Sequence, residues 1–277
     1  MKASNERAGA RRWVPVCLAL AAGTSCAINQ QQEVQMGKEY SSQIANELPL
    51  VRDQEVVQYI TRLGNSLAKV TDTRSLKWHF AVVDSREVNA FAVPGGWIYV
   101  NRGLIERAEN MSQVAGVLGH EIGHVTKRHT VEGMQKAQGA NVGVTLLCTL
   151  TKVCDSGAGQ AAINVGGSAL FAKFSRSDES EADAEAVSTT IKAGIDPNGI
   201  PAMFRILLNE RKSNPGALEG FFATHPLEED RIQATQALIA NYQPSQLRGL
   251  KKDAPAFDTF RRRLKGLPAP PTPKTAP

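Results

Sequence analysis

One stretch, Ser112 to His129, restricts the fold more than any other. Val114, Leu118, Ile122 and Val125 recur at three- and four-residue intervals, the period of one apolar face of a helix. Gly116, Gly119 and Gly123 let neighbouring backbone approach closely. His120 and His124 stand four apart, and residues four apart share a helix face, so both imidazoles can be presented to one metal ion with Glu121 beside them. The plain alternative is a chance match in an amphipathic helix. Ser112 is the expected N-cap, and the helix is expected to run to about His129.

Around this helix the chain reads as mainly helical with a small sheet, an α+β class. Glu33 to about Val70 carries Val34, Ile44, Val56, Val57, Ile60, Leu63 and Leu67 at helical spacing. Trp78 to Val83, Phe91 to Val93 and Trp97 to Val100 are β-branched and aromatic. The last two flank Pro94-Gly95-Gly96, which predicts strands around a turn. Residues 101–110 read as a short helix or turn. Residues 131–174 are rich in Gly, Ala, Ser and Thr, and their apolar patch at 142–150 is too short and polar to span a bilayer. A helix is predicted from about Ser175 to Ala193, stopped by Gly194 and Pro197, with two more over Pro201 to Arg211 and Glu228 to Asn241. No internal repeat is visible.

The chain ends divide from this body by composition. Residues 1–25 read as an export signal: a basic stretch to Arg11 and Arg12, an apolar run from Trp13 to Ala22, then small residues. Gly23-Thr24-Ser25-Cys26 is similar to a lipoprotein-processing box, with Gly23 where Leu is usual. Lipidation of Cys26 is expected, the alternatives being cleavage near Ala27 or an uncleaved anchor. Residues 26–245 form the expected catalytic domain. Residues 246–277 are read as a basic segment and a Pro-rich disordered tail, the basic part being a solvated face with lipid contact as the alternative.

Charge and cysteine usage narrow the function. The net charge is +5, but the leader holds Lys2, Arg7, Arg11 and Arg12 against Glu6, so the remainder carries only +2. No basic motif with interleaved aromatics is present, and a nucleic-acid partner is set aside. Export to an oxidising compartment favours a disulfide between Cys148 and Cys154 over two free thiols.

A catalytic zinc site takes three protein ligands and leaves one position open. Ser175-Arg-Ser-Asp-Glu-Ser-Glu-Ala-Asp183 supplies candidates for the third. Glu179 and Asp183 are four apart, so Glu179 can bind the ion while Asp183, one turn further on, accepts a hydrogen bond from a ligand imidazole. Spacing leaves Glu181 as a competitor. It also leaves the plain reading, an acidic first turn favoured by the helix dipole.

Taken in order, Glu33-Val-Gln-Met-Gly37, Val88-Asn-Ala-Phe-Ala-Val-Pro-Gly-Gly96, Gly103-Leu104, His120-Glu-Ile-Gly-His124, Ser175-Arg176, Glu179 to Asp183 and Thr224-His225-Pro226 with Arg231 carry a family resemblance. From about Glu33 to Tyr242 the chain resembles the gluzincin group that contains the CAAX prenyl endopeptidases, HtpX and the periplasmic BepA and LoiP proteases. The resemblance implies one zinc ion per subunit held by His120, His124 and Glu179, with Asp183 in support and Glu181 uninvolved. It implies that Asn89, Ala90, Phe91, Ala92, Val93, Pro94, Gly95 and Gly96 form an edge strand above the metal where an extended polypeptide can pair; an ordinary hairpin is the alternative.

The chemistry expected is peptide hydrolysis in the cell envelope. Zinc acidifies a water to a pKa of about 7, Glu121 takes its proton and passes it to the leaving amine, and His225 or Arg231 faces the oxyanion. By resemblance His225 instead closes the open metal position and keeps the enzyme latent; a structural His capping its loop is a third reading. The expected substrates are unfolded or misassembled envelope proteins, and the expected place is the periplasm, attached to the outer membrane by the lipid on Cys26. The competing function is a chaperone-like module that holds assembly intermediates. His79 and His129 are expected to be ordinary core or surface residues, His129 pointing well away from the metal face.

Overall fold

The computed structural model describes residues 27–137, 173–227 and 229–271. Cys26, Cys148, Cys154, the leader and the end of the Pro-rich tail lie outside them. The architecture is α+β and mainly helical, with one three-stranded sheet. Among the described residues no helix is long and apolar enough to cross a membrane.

Helices α1 (Gln30–Glu47) and α2 (Gln54–Thr71) precede the sheet. Asn29 caps α1 and shares a capping box with Gln32, and Asp53 caps α2. Strands β1 (His79–Val83), β2 (Ala90–Val93) and β3 (Trp97–Asn101) stand in the order β1-β3-β2. β1 runs parallel to β3, and β2 is antiparallel to it. The β2–β3 turn needs glycine: Gly95 and Gly96 have φ of 80° and 102°, and a Cβ on Gly95 would come within 2.8 Å of Val34 Cα.

After α3 (Arg102–Arg107) comes α4 (Met111–Thr126), buried along nearly its whole length. Two boundaries differ from the sequence reading. The N-cap is Asn110, whose side chain accepts from the Gln113 N–H, while Ser112 bonds to Asn110 within the first turn. The helix ends at Thr126, because Arg128 adopts φ of 64°, and His129 begins a new helix, α5 (His129–Ala137).

Helix α6 (Arg176–Lys192) is capped by a Ser175–Asp178 capping box and ends before Gly194, which has φ of 74°. It lies directly on α4. A Cβ on Gly123 would sit 3.1 Å from Ala182, and one on Gly119 would sit 3.4 Å from Ala186, so glycine facing alanine sets the close approach. Helices α7 (Gly199–Ser213), α8 (Glu219–Thr224), α9 (Glu229–Ala240) and α10 (Pro244–Leu247) follow.

The segment after 245 does not stand apart. Pro255–Lys265 forms α11, whose Phe257, Phe260 and Leu264 enter the main core, Phe260 stacking on Tyr59 at 4.4 Å. Those residues recur at helical spacing behind the basic cluster, and that apolar stripe is what the polar composition concealed. Burying a Phe such as Phe257 contributes about 3 kcal/mol.

Candidate metal centre

Packing α4 on α6, with the turn after α8, brings four buried side chains to one point. One ligand atom each from His120, His124, Glu179 and His225 lies within 4.8 Å of all the others. Nε2 of His120 is 3.0 Å from Nε2 of His124 and 3.6 Å from Glu179 Oε2. Nε2 of His124 is 3.4 Å from Glu179 Oε1. His225, which follows α8, places Nδ1 3.3 Å from His120 Nε2 and 3.0 Å from Glu179 Oε1. A tetrahedral ion with bonds of about 2.0–2.1 Å spaces its ligand atoms about 3.3 Å apart, so the cluster has the size of such a cage.

The donor set also fits chemically. His120 Nδ1 lies 2.8 Å from Asp183 Oδ1 and donates to it. The other nitrogen, Nε2, therefore presents a lone pair to the centre, which is the orientation a ligand imidazole requires.

Arg231 stands behind both carboxylates. Its Nε and Nη2 bond to the two oxygens of Asp183 at 2.9 and 2.8 Å, and its Nη1 bonds to Glu179 Oε2 and to the Pro226 carbonyl. The guanidinium lies 4.8 Å over the ring of Phe204. Burial alone would raise the Glu179 carboxyl, but the neighbouring imidazoles of His225, His124 and His120 hold it well below the usual carboxylate range. Glu181, in contrast, is 55% exposed and stays outside the cluster.

Glu121 is fully buried, and neither carboxylate oxygen has a hydrogen-bond partner among the described residues. His225 Nε2 lies 3.6 Å from Glu121 Oε1. Burial pushes the Glu121 carboxyl up, and the neighbouring His225 and His120 pull against it. Burial pulls the other way on His225, yet Glu121 and Glu179 together raise its ring above the ordinary histidine value.

Two residues at the centre escaped the sequence reading. His129 does not point away: its Nδ1 is 2.9 Å from Nδ1 of His124, because the positive φ at Arg128 breaks the helix and turns the next residue back. A continuous helix would have carried it round to another face. Phe174 stacks on the His124 ring at 3.9 Å, and its N–H bonds to the Thr224 carbonyl, joining the start of α6 to the His225 loop. No spacing signal links Phe174 to the histidines. His79 lies far from this cluster in character: it is in β1, stacked on Trp97 at 3.8 Å, and burial lowers its pKa.

Strand β2 is an edge strand, paired only with β3 among the described residues, and all four of its residues are buried. Asn89 precedes it, its C=O accepting from the Asn101 N–H, and Pro94, Gly95 and Gly96 form the turn after it. With Asn89 opposite Asn101 and Phe91 opposite Tyr99 as bonded pairs, the backbone groups of Ala90 and Ala92 point to the unpaired side. Asn89 Oδ1 has no hydrogen-bond partner among the described residues.

Paired imidazoles on one helix, a carboxylate from a second and, beside them, a buried carboxylate without a hydrogen bond among the described residues are consistent with a zincin-type metallopeptidase site. The chain belongs to Peptidase family M48, whose family model matches residues 54–239. It is 33% identical to the beta-barrel assembly-enhancing protease of Escherichia coli over 218 residues, 76% of this chain and 44% of that protein. It is 29% identical to the metalloprotease LoiP of the same organism over 65% of this chain and 69% of that protein. A mitochondrial metalloendopeptidase of Schizosaccharomyces pombe is 26% identical over 67% of this chain and 53% of its own length. The chain thus spans about half the length of the barrel-assembly relatives it matches.

Proposed function

We propose that this protein is a zinc-dependent endopeptidase of the bacterial cell envelope that hydrolyses unfolded or misassembled envelope and outer-membrane proteins. His120, His124 and Glu179 hold one ion, and Asp183 orients His120. When bound, zinc supplies Lewis-acid polarisation of the scissile carbonyl and acidification of a water to a pKa near 7. Glu121 accepts the water's proton on its carboxylate and delivers it to the leaving amine. Arg231 is assigned to holding Glu179 and Asp183 rather than to the reacting oxygen, since its donors already face those carboxylates. An extended substrate pairs with the free backbone groups of Ala90 and Ala92, and the strand from Asn89 to Gly96 orients it across the metal.

The observation that carries this reading is the buried Glu121, its oxygens without a hydrogen bond among the described residues, beside a cage of metal-ligand size. A chaperone-like module would have no use for such a costly group. Similarity to a beta-barrel assembly-enhancing protease supports the substrate class. The Gly23 to Cys26 box supports attachment to the outer membrane through a lipid on Cys26, with the body in the periplasm.

Purified protein assayed for zinc content and for cleavage of an unfolded β-barrel protein tests the proposal. One zinc per chain and cleavage abolished by Glu121→Gln are expected. Complementation in cells by Glu121→Gln would instead favour the holding function. Replacement of Cys26 by Ser is expected to release the protein from the membrane fraction.

A further inference from the structure

Four of the five histidines converge on the metal centre; three of them lie in the ligand cage, and the fourth, His129, stands behind it with no task in the proposed chemistry. It is buried, 5% exposed, and its Nδ1 faces Nδ1 of His124 at 2.9 Å. Two ring nitrogens at that distance share one proton, so one ring donates and the other accepts. Nε2 of His124 points into the cluster, 3.0 Å from His120 and 3.4 Å from Glu179, and must be unprotonated to bind an ion. The single proton of a neutral His124 ring then sits on Nδ1. His124 is therefore the donor, and Nδ1 of His129 is the acceptor.

We propose that His129 is a positioning residue for His124, its Nδ1 accepting the His124 proton and holding that ring in the tautomer and orientation that face the metal. Asp183 stands in the same relation to His120, at 2.8 Å. The two ligand imidazoles are thus oriented by different groups, a carboxylate for one and a neutral imidazole for the other. Phe174, stacked on the His124 ring at 3.9 Å, restricts its rotation, so the acceptor meets a ring already confined to one plane. On its far side His129 places Nε2 3.9 Å from Glu181, which is half exposed, and that nitrogen carries the remaining proton. The break at Arg128, φ of 64°, is what delivers the ring to this place.

The inference rests on the metal centre proposed above, and zinc affinity separates the two. Full-length protein is titrated with zinc against a chromogenic chelator, and the visible spectrum of the cobalt-substituted form is recorded. Wild-type protein that fails to bind zinc would remove the metal centre and this role with it. Given binding, His129→Asn, whose side-chain oxygen takes the place of Nδ1, is expected to stay within threefold of wild type with an unchanged cobalt spectrum. His129→Gln and His129→Leu, which offer no acceptor there, are expected to weaken zinc by about 10- to 100-fold and to shift the cobalt bands. If His129→Leu fails to fold, the comparison of Asn with Gln decides alone. Equal affinities for Asn and Gln, whether both retained or both lost, overturn the proposal while leaving the metal centre intact.

Discussion

Nδ1 of His225 lies 3.3 Å from Nε2 of His120, although the two residues are 105 positions apart. The imidazole stands where a fourth ligand would, between Glu179 and the buried carboxylate of Glu121. If His225 closes the open metal position, as the family resemblance implies, it keeps out the water that hydrolysis requires. His225→Ala is therefore expected to raise the rate of cleavage of an unfolded substrate severalfold, with zinc still bound through the remaining three ligands. A fall in rate would assign His225 to the oxyanion instead.

Arg231 is the only cation in the described structure that bonds to both Glu179 and Asp183. Removing one partner of a buried ionic group leaves charges uncompensated and costs about 3–5 kcal/mol. Urea denaturation of metal-free Arg231→Ala is expected to show a loss of that size. Arg231→Lys should recover little of it, because an ammonium cannot reproduce the planar fork on Asp183. Stability unchanged from wild type would mean that Arg231 is not the support described.

Glu33 ties the N-terminal helix to the rest of the site. Its buried carboxylate meets Arg74 at 2.9 Å and Arg128 at 2.8 Å, and accepts from the Gly95 N–H in the β2–β3 turn. It thereby couples α1 to the end of the metal helix and to the edge strand. Glu33→Ala is expected to destabilise the protein by about 3–5 kcal/mol, and to raise KM for polypeptide substrate more than it lowers kcat. A KM equal to that of wild type would disconnect the clamp from the strand.

Alkaline conditions should unfold the protein through its tyrosines. Burial, with a nearby Asp253 charge for Tyr59, pushes Tyr59 and Tyr99 up to about 12 from an ordinary value of 10. The folded form holds these protons more tightly than the unfolded form, so their stabilising contribution is complete below pH 10. It is lost as pH rises from 10 to 12. Circular dichroism is expected to show full helix content at pH 9 and a fall across that window. Tyrosinate absorbance developing fully before any unfolding would contradict the assignment.

Much of this molecule was legible in local patterns. The helical spacing of Val114, Leu118, Ile122 and Val125, the Pro94-Gly95-Gly96 turn and the start of α6 near Ser175 each depend on neighbours a few residues away. The choice between Glu179 and Glu181 was not legible by spacing, since both lie on one turn. Packing decided it by burying the first and leaving the second exposed. The helix α11 was hidden because its basic residues outnumber the three apolar ones that reach the core.

The sequence alone determined that a helix would present two imidazoles and a carboxylate, because helix periodicity requires only the order of residues along one segment. Which groups would surround them was settled by the tertiary structure. The lean of α6 on α4 through Gly119 and Gly123 brings Glu179 and Asp183 into reach, the turn after α8 brings His225, and one left-handed residue, Arg128, swings His129 back against His124. Each of these contacts joins positions through space, and no local rule of spacing encodes a distance of that kind.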